Sequence, residues 1–331
     1  MNALFLLASL LAPGPYHVVK RISLPGEGGW DLLTVDAAAR RLYVTHGTRV
    51  QVVDIDRDSL VGEIPNTPGV HGTVVAPDLA RGYTSNGRAG AVTIFDLRTL
   101  ATLGTVDVKG ENPDAIIYDP ASLRVFTFNG RSHNATAIDA ATGTVAGMIA
   151  LDGKPEFAVA DGAGEIYLNV EDKAELAELD SRGLKVLHTW PIAGCEEPSG
   201  LALDRAHARL FVGCGNAVMV VVDARDGHVV ASEPIGKGVD AVAFDSSTGL
   251  AFSSNGEGSV TVVREETPDR YSVAETVPTQ RSARTCAIDQ RTHRLFLAAA
   301  DLTPAPPPSD SNPRPRPGIV PGSFVILVLD R

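Results

Sequence analysis

One pattern of apolar and polar positions recurs along this chain. A short apolar run ends in Asp, a turn follows, and a second apolar run begins. The first run, LLTVD, ends at Asp36, and later ones end at Asp78, Asp119, Asp161, Asp204, Asp245 and Asp289. The spacings are 42, 41, 42, 43, 41 and 44 residues. Within each interval apolar and polar residues alternate as they do on half-buried strands, and no stretch carries a helical period. After the turn comes a second strand, such as RLYVT at Arg41–Thr45, RVFTF at Arg124–Phe128, RLFVG at Arg209–Gly213 or RLFLA at Arg294–Ala298. Asn86-Gly87, Asn129-Gly130 and Asn255-Gly256 mark the next hairpin, because both residue types tolerate positive φ. A third strand ends in Asp, as in VQVVD, VTIFD, ATAID and VMVVVD, and a fourth closes the unit, as in LVGEIP or VVASEPI. Seven four-stranded repeats at this period predict an all-β, seven-bladed β-propeller occupying residues 16–331 as one domain.

The seventh repeat supplies only three strands, TCAID, HRLFLAAA and SFVILVLD at Ser323–Asp330. The missing outer strand has a counterpart near the other end, YHVVKRISLP at Tyr16–Pro25. The N-terminal strand is therefore expected to pair with the last blade and close the ring, removing an open edge.

The RLYVT strand, the VxVxD third strand, the IP-type outer strand and the repeat length resemble the YVTN-repeat or YncE-like propeller family over nearly the whole chain after residue 15. That resemblance implies an exported or periplasmic propeller with no reaction attached to it. Trp-Asp occurs once, at Trp30-Asp31, and does not recur as the WD-repeat signature does, and the tryptophan docking motif of quinoprotein dehydrogenases is missing from the sequence.

Composition narrows the function classes. The net charge is −11 and the pI near 5.2, which argues against nucleic-acid partners, since phosphate binding needs a basic face. Residues 1–12 read as the apolar part of an export signal, although no Lys or Arg precedes the run. No later segment is long and apolar enough to cross a membrane as a helix. Periplasmic or secreted location and a monomeric state are the expectation. Cys195 and Cys214 fall at the same end of adjacent strands of the fifth repeat, and export permits a disulfide between them. Cys286, inside a strand, reads as a small buried hydrophobe.

The residues five before each repeat Asp fall where the innermost strands open into the channel. They are Asp31, Asp114, Glu156, Ser199, Asp240 and Arg284; in the second repeat Pro77 shifts the frame and His71 or Gly72 falls there. Nothing in folding requires charge at these places. Converging carboxylates need compensation, by protonation, by arginine or by a bound cation. Oxygen ligands favour Ca²⁺ or Mg²⁺, with Asp114, Glu156 and Asp240 as the expected metal ligands and His71 as a weaker addition. Arg131 and His133 in the second loop of the third repeat, and Glu197 before the fifth, are further ligand-binding candidates on this face. The Pro-rich insertion at residues 301–322 joins strands of the last blade on the same side, and is expected to lie over the mouth with Arg314 and Arg316 toward the acids.

Two functions follow. One is a scaffold that binds a small molecule, peptide or protein through the channel-mouth face. The other is a metal-dependent hydrolase or lyase of the lactonase or streptogramin-lyase kind. Its base would be His71, His133 or Glu156, with Arg284 or Arg131 stabilising negative charge. GxSxG, HExxH and P-loop motifs are all missing from the sequence.

Overall fold

The computed structural model describes residues 14–307, 315 and 317–331; the expected export signal and Arg314 and Arg316 lie outside the described residues. The described residues form seven four-stranded antiparallel sheets, the blades of a β-propeller. The inner strands are Trp30–Asp36, Val70–Ala76, Pro113–Asp119, Pro155–Ala160, Pro198–Asp204, Val239–Asp245 and Thr285–Ile288. Each packs beside the next, and the last packs beside the first. Among the described residues no helix is long and apolar enough to cross a membrane.

The repeated residues have local causes. The Asp that ends an inner strand accepts backbone N–H bonds from the turn it starts. Asp36 takes those of Ala38 and Ala39, Asp161 those of Ala163 and Gly164, and Asp245 that of Ser247. These are Asx turns, in which the side chain mimics a turn of the backbone. The third-strand Asp does the same, as Asp54 does for Asp56 and Arg57. In the second blade Pro77 opens a 3-10 turn at Pro77–Leu79, so Asp78 instead accepts the Tyr118 hydroxyl of the next blade at 2.7 Å.

The Arg that opens a second strand ties its blade to the following one. Arg124 donates to the carbonyl of Ser181, Arg81 to that of Ala140 and Arg209 to that of Pro268. Two positions later stands an aromatic ring in every blade: Tyr43, Tyr83, Phe126, Tyr167, Phe211, Phe252 and Phe296, all buried. Burying a side chain of this size stabilises by about 1.5–3 kcal/mol, so this single column supports much of the core.

The ring closes as the N-terminal strand predicts. His17–Ser23 pairs antiparallel with Val325–Asp330, from His17 opposite Asp330 to Ser23 opposite Val325. Tyr16, Ile22 and Leu24 are buried, and the Tyr16 ring meets Phe252 edge-on at 5.2 Å. The Cys195–Cys214 disulfide is present, with Cα atoms 5.4 Å apart, and Cys286 is free and buried. It ties the loop entering the fifth blade to the end of that blade's second strand. Closing a loop of this length constrains the unfolded chain by about 3 kcal/mol.

Candidate functional site

Six of the seven mouth positions sit beside a break in the sheet. The pairing of inner and second strands shifts register between Trp30 and Leu33, Val70 and Gly72, Pro113 and Ile116, Pro155 and Ala158, Pro198 and Leu201, and Val239 and Ala241. The residue after the first partner is Asp31, His71, Asp114, Glu156, Ser199 or Asp240, and Arg284 directly precedes the shorter seventh inner strand. A bulge takes a residue out of the ladder and re-aims its side chain. The second blade's ambiguity thus resolves to His71, because Gly72 pairs with Ser85.

The ring is compensated from blade to blade. His71 Nδ1 lies 2.6 Å from Asp31 Oδ2 and 3.5 Å from Asp114 Oδ1. Arg284 Nε donates to Asp240 Oδ2 at 2.6 Å, and Ser199 donates to Asp240 Oδ1 at 3.2 Å. Lys154 Nζ lies 3.0 Å from Glu156 Oε2 and also contacts Glu171. These groups line a cavity of about 860 Å³. Leu32 and Phe157 contribute apolar surface to it, as do Leu302 and Ile319 from the insertion. Those two residues bridge to each other, bringing the two ends of the insertion together at the mouth.

Burial raises Asp114 to about 7, helped by the charges of Asp31 and Asp240 and opposed by His71. Burial, then the charge of Asp114, raises Glu156 to about 8 against the pull of Lys154. Asp240 is also raised, by burial and by Asp31, with Arg284 opposing. Burial alone would lower His71, but the Asp31 hydrogen bond and both neighbouring carboxylates outweigh it and raise it to about 9. The mouth therefore holds shared protons at neutral pH, a property that clusters at functional sites.

The structure brings Asp31, His71, Asp114, Glu156, Asp240 and Arg284 into one cavity wall. Arg131, His133 and Glu197 are exposed on turns and do not line it. The ring's closest group of ligand atoms differs from the expected metal ligands. Among the described residues the ring's group of ligand atoms within 4.8 Å of one another is Asp31, His71 and Asp114, not Asp114, Glu156 and Asp240. The reason is topological: Asp240 stands on the sixth blade and is engaged by Arg284, while Glu156 is drawn to Lys154. Asn129 bonds Thr136 across its hairpin and Asn86 bonds Thr93, so these amides pin strands together. Sequence reasoning missed Lys154 and Arg281. Lys154 stands two residues before Glu156, so widening the column by two positions would have found it.

The fold and this mouth define the chain as a seven-bladed β-propeller. Kuenenia stuttgartiensis hydrazine synthase is structurally similar, with a TM-score of 0.73 at 14% identity, over 83% of this chain and 94% of that one. At that identity the likeness speaks for the fold alone. No family model matches the chain, and no curated protein matches it.

Proposed function

We propose that this propeller is an exported scaffold that binds a ligand in the charged mouth of its channel. One observation carries the reading. Six of seven equivalent inner-strand positions, where the fold needs only strand residues, hold ionisable groups around a cavity of about 860 Å³. Partly buried charges cost stability unless paired, and a propeller closes without them. The cavity's size suits a small molecule. The YVTN-like repeats, the apolar leader and the disulfide support export.

A thermal-shift screen tests this reading. The panel holds small cations, anions, zwitterions and the chlorides of Ca²⁺, Mg²⁺ and Zn²⁺. At least one compound is expected to raise the melting temperature of the wild type by several degrees and to lose that effect in Asp240→Asn/Arg284→Gln. Compounds that act equally on both proteins, or none that act at all, would contradict a ligand site at the mouth.

A second reading, a metal-dependent hydrolase or lyase, is favoured by the Asp31, His71 and Asp114 group. One imidazole with two carboxylates is a donor set for a borderline ion such as Zn²⁺ as much as for Ca²⁺ or Mg²⁺. His71 would then serve as a ligand, leaving Glu156 as the base and Arg284 as the charge stabiliser. A metal effect in the same screen that disappears in His71→Ala would move the assignment to this reading.

A further inference from the structure

We infer that the channel mouth takes a zwitterionic small molecule, with its anionic group at Arg281 and Arg284 and its cationic group at Asp114 and Glu156. The inference rests on the scaffold reading and adds the class of ligand.

The charges of the mouth are segregated. In a ring of seven blades, the third and fourth stand farthest from the seventh. Arg281 and Arg284 both belong to the seventh blade, on the loop entering its inner strand. The Arg284 side chain is 43% exposed, against 20–26% for Asp31, His71, Asp114, Glu156 and Asp240. Its Nε is committed to Asp240 and its Nη2 reaches the Trp30 carbonyl at 3.4 Å, which leaves Nη1 and the second Nη2 proton for an anion. Arg281 is exposed, lines the same cavity and has no carboxylate partner among the described residues.

Across the mouth, Asp114 and Glu156 stand on neighbouring blades. Asp114 finds its nearest cation, His71, only at 3.5 Å, and that imidazole is already held at 2.6 Å by Asp31. Lys154 serves Glu156 but is drawn toward Glu171 as well. This side therefore offers carboxyl groups that hold protons at neutral pH and that an ammonium would engage by displacing them. Leu32 and Phe157 also line the cavity, an apolar surface suited to an aliphatic body. A ligand with one charge would satisfy one side and unbalance the other. A zwitterion complements both and adds no net charge to the mouth.

The test uses the full chain and isothermal titration calorimetry with ω-amino acids from glycine to 8-aminooctanoate. Alkylammonium and alkanoate ions of matched length are the controls. One chain length is expected to bind at least tenfold more tightly than either control. Arg281→Gln should erase the advantage over the alkylammonium, and Glu156→Gln the advantage over the alkanoate. Circular dichroism of each variant shows whether the fold is intact. If hexylammonium or hexanoate binds as tightly as 6-aminohexanoate and depends on the same residues, the zwitterion inference is overturned while the mouth stands as a ligand site. If no ω-amino acid binds, the inference is also overturned, and the screen above decides separately on the site.

Discussion

The protein melts at a lower temperature at pH 9 than at pH 5, by roughly 5–10 °C for a chain of this size. Asp114 and Glu156 bind protons more tightly folded than unfolded: their ordinary values are 3.8 and 4.5, and in the ring they rise to about 7 and 8. Between those limits the folded state holds more protons than the unfolded state, so stability falls as pH rises. His71 acts in the same direction. Its value rises from 6.5 to about 9, so its contribution is complete below pH 6.5 and is lost as pH rises through about 9. A tenfold change in proton affinity is worth about 1.4 kcal/mol, and the three groups act on one another, so the total is on the order of 5 kcal/mol. The carboxylates held low by turn bonds, such as Asp96, Asp139 and Asp180, lose their contribution only at more acid pH. Thermal melts followed by circular dichroism check the trend. In Asp114→Asn/Glu156→Gln the fall should shrink to less than half. A melting temperature that is flat or rising from pH 5 to 9 in the wild type would contradict the ring's electrostatics.

Deleting residues 1–24 has the second large effect. The variant loses the buried Tyr16, Ile22 and Leu24. It also loses the Tyr16 hydroxyl bond to the His293 carbonyl and the whole ladder to Val325–Asp330. Three such side chains at about 1.5–3 kcal/mol each, less the entropy of the ordered strand, leave a loss on the order of 5 kcal/mol. The strand VILVLD becomes a bare apolar edge, which pairs readily with another chain. Size-exclusion chromatography should show larger species than the full-length protein gives, together with a lowered melting temperature. Unchanged elution and an unchanged melt would mean that the seam is not held by this strand.

The fold was legible because its causes are local and repeated. An Asx turn needs its Asp, which recurs in every repeat, and Asn-Gly marks the hairpin in three of them. The closing strand was legible by subtraction, since the last repeat lacks one. The charged column was legible for the same periodic reason, down to the blade-two position that only strand pairing separates between His71 and Gly72. Its partners were not. Lys154 and Arg281 stand two and three residues before Glu156 and Arg284, on the loops entering those strands, just outside the column. The bulges that turn the ring inward leave no residue-type signal. How the acids group was not legible, because sequence order says which blade carries each acid, not which cation meets it. Asp240 is met by Arg284 and Glu156 by Lys154.

The central claim is that these inner-strand residues act as one charged unit with His71 held between Asp31 and Asp114. Nitrogen chemical shifts of the His71 imidazole, followed by NMR from pH 5 to 10, test it most directly. The account predicts an imidazolium protonated on both nitrogens through neutral pH, with a midpoint at about 9 that falls when Asp31→Asn removes its nearest partner. A midpoint at or below the ordinary 6.5, or one unmoved by that substitution, would contradict it.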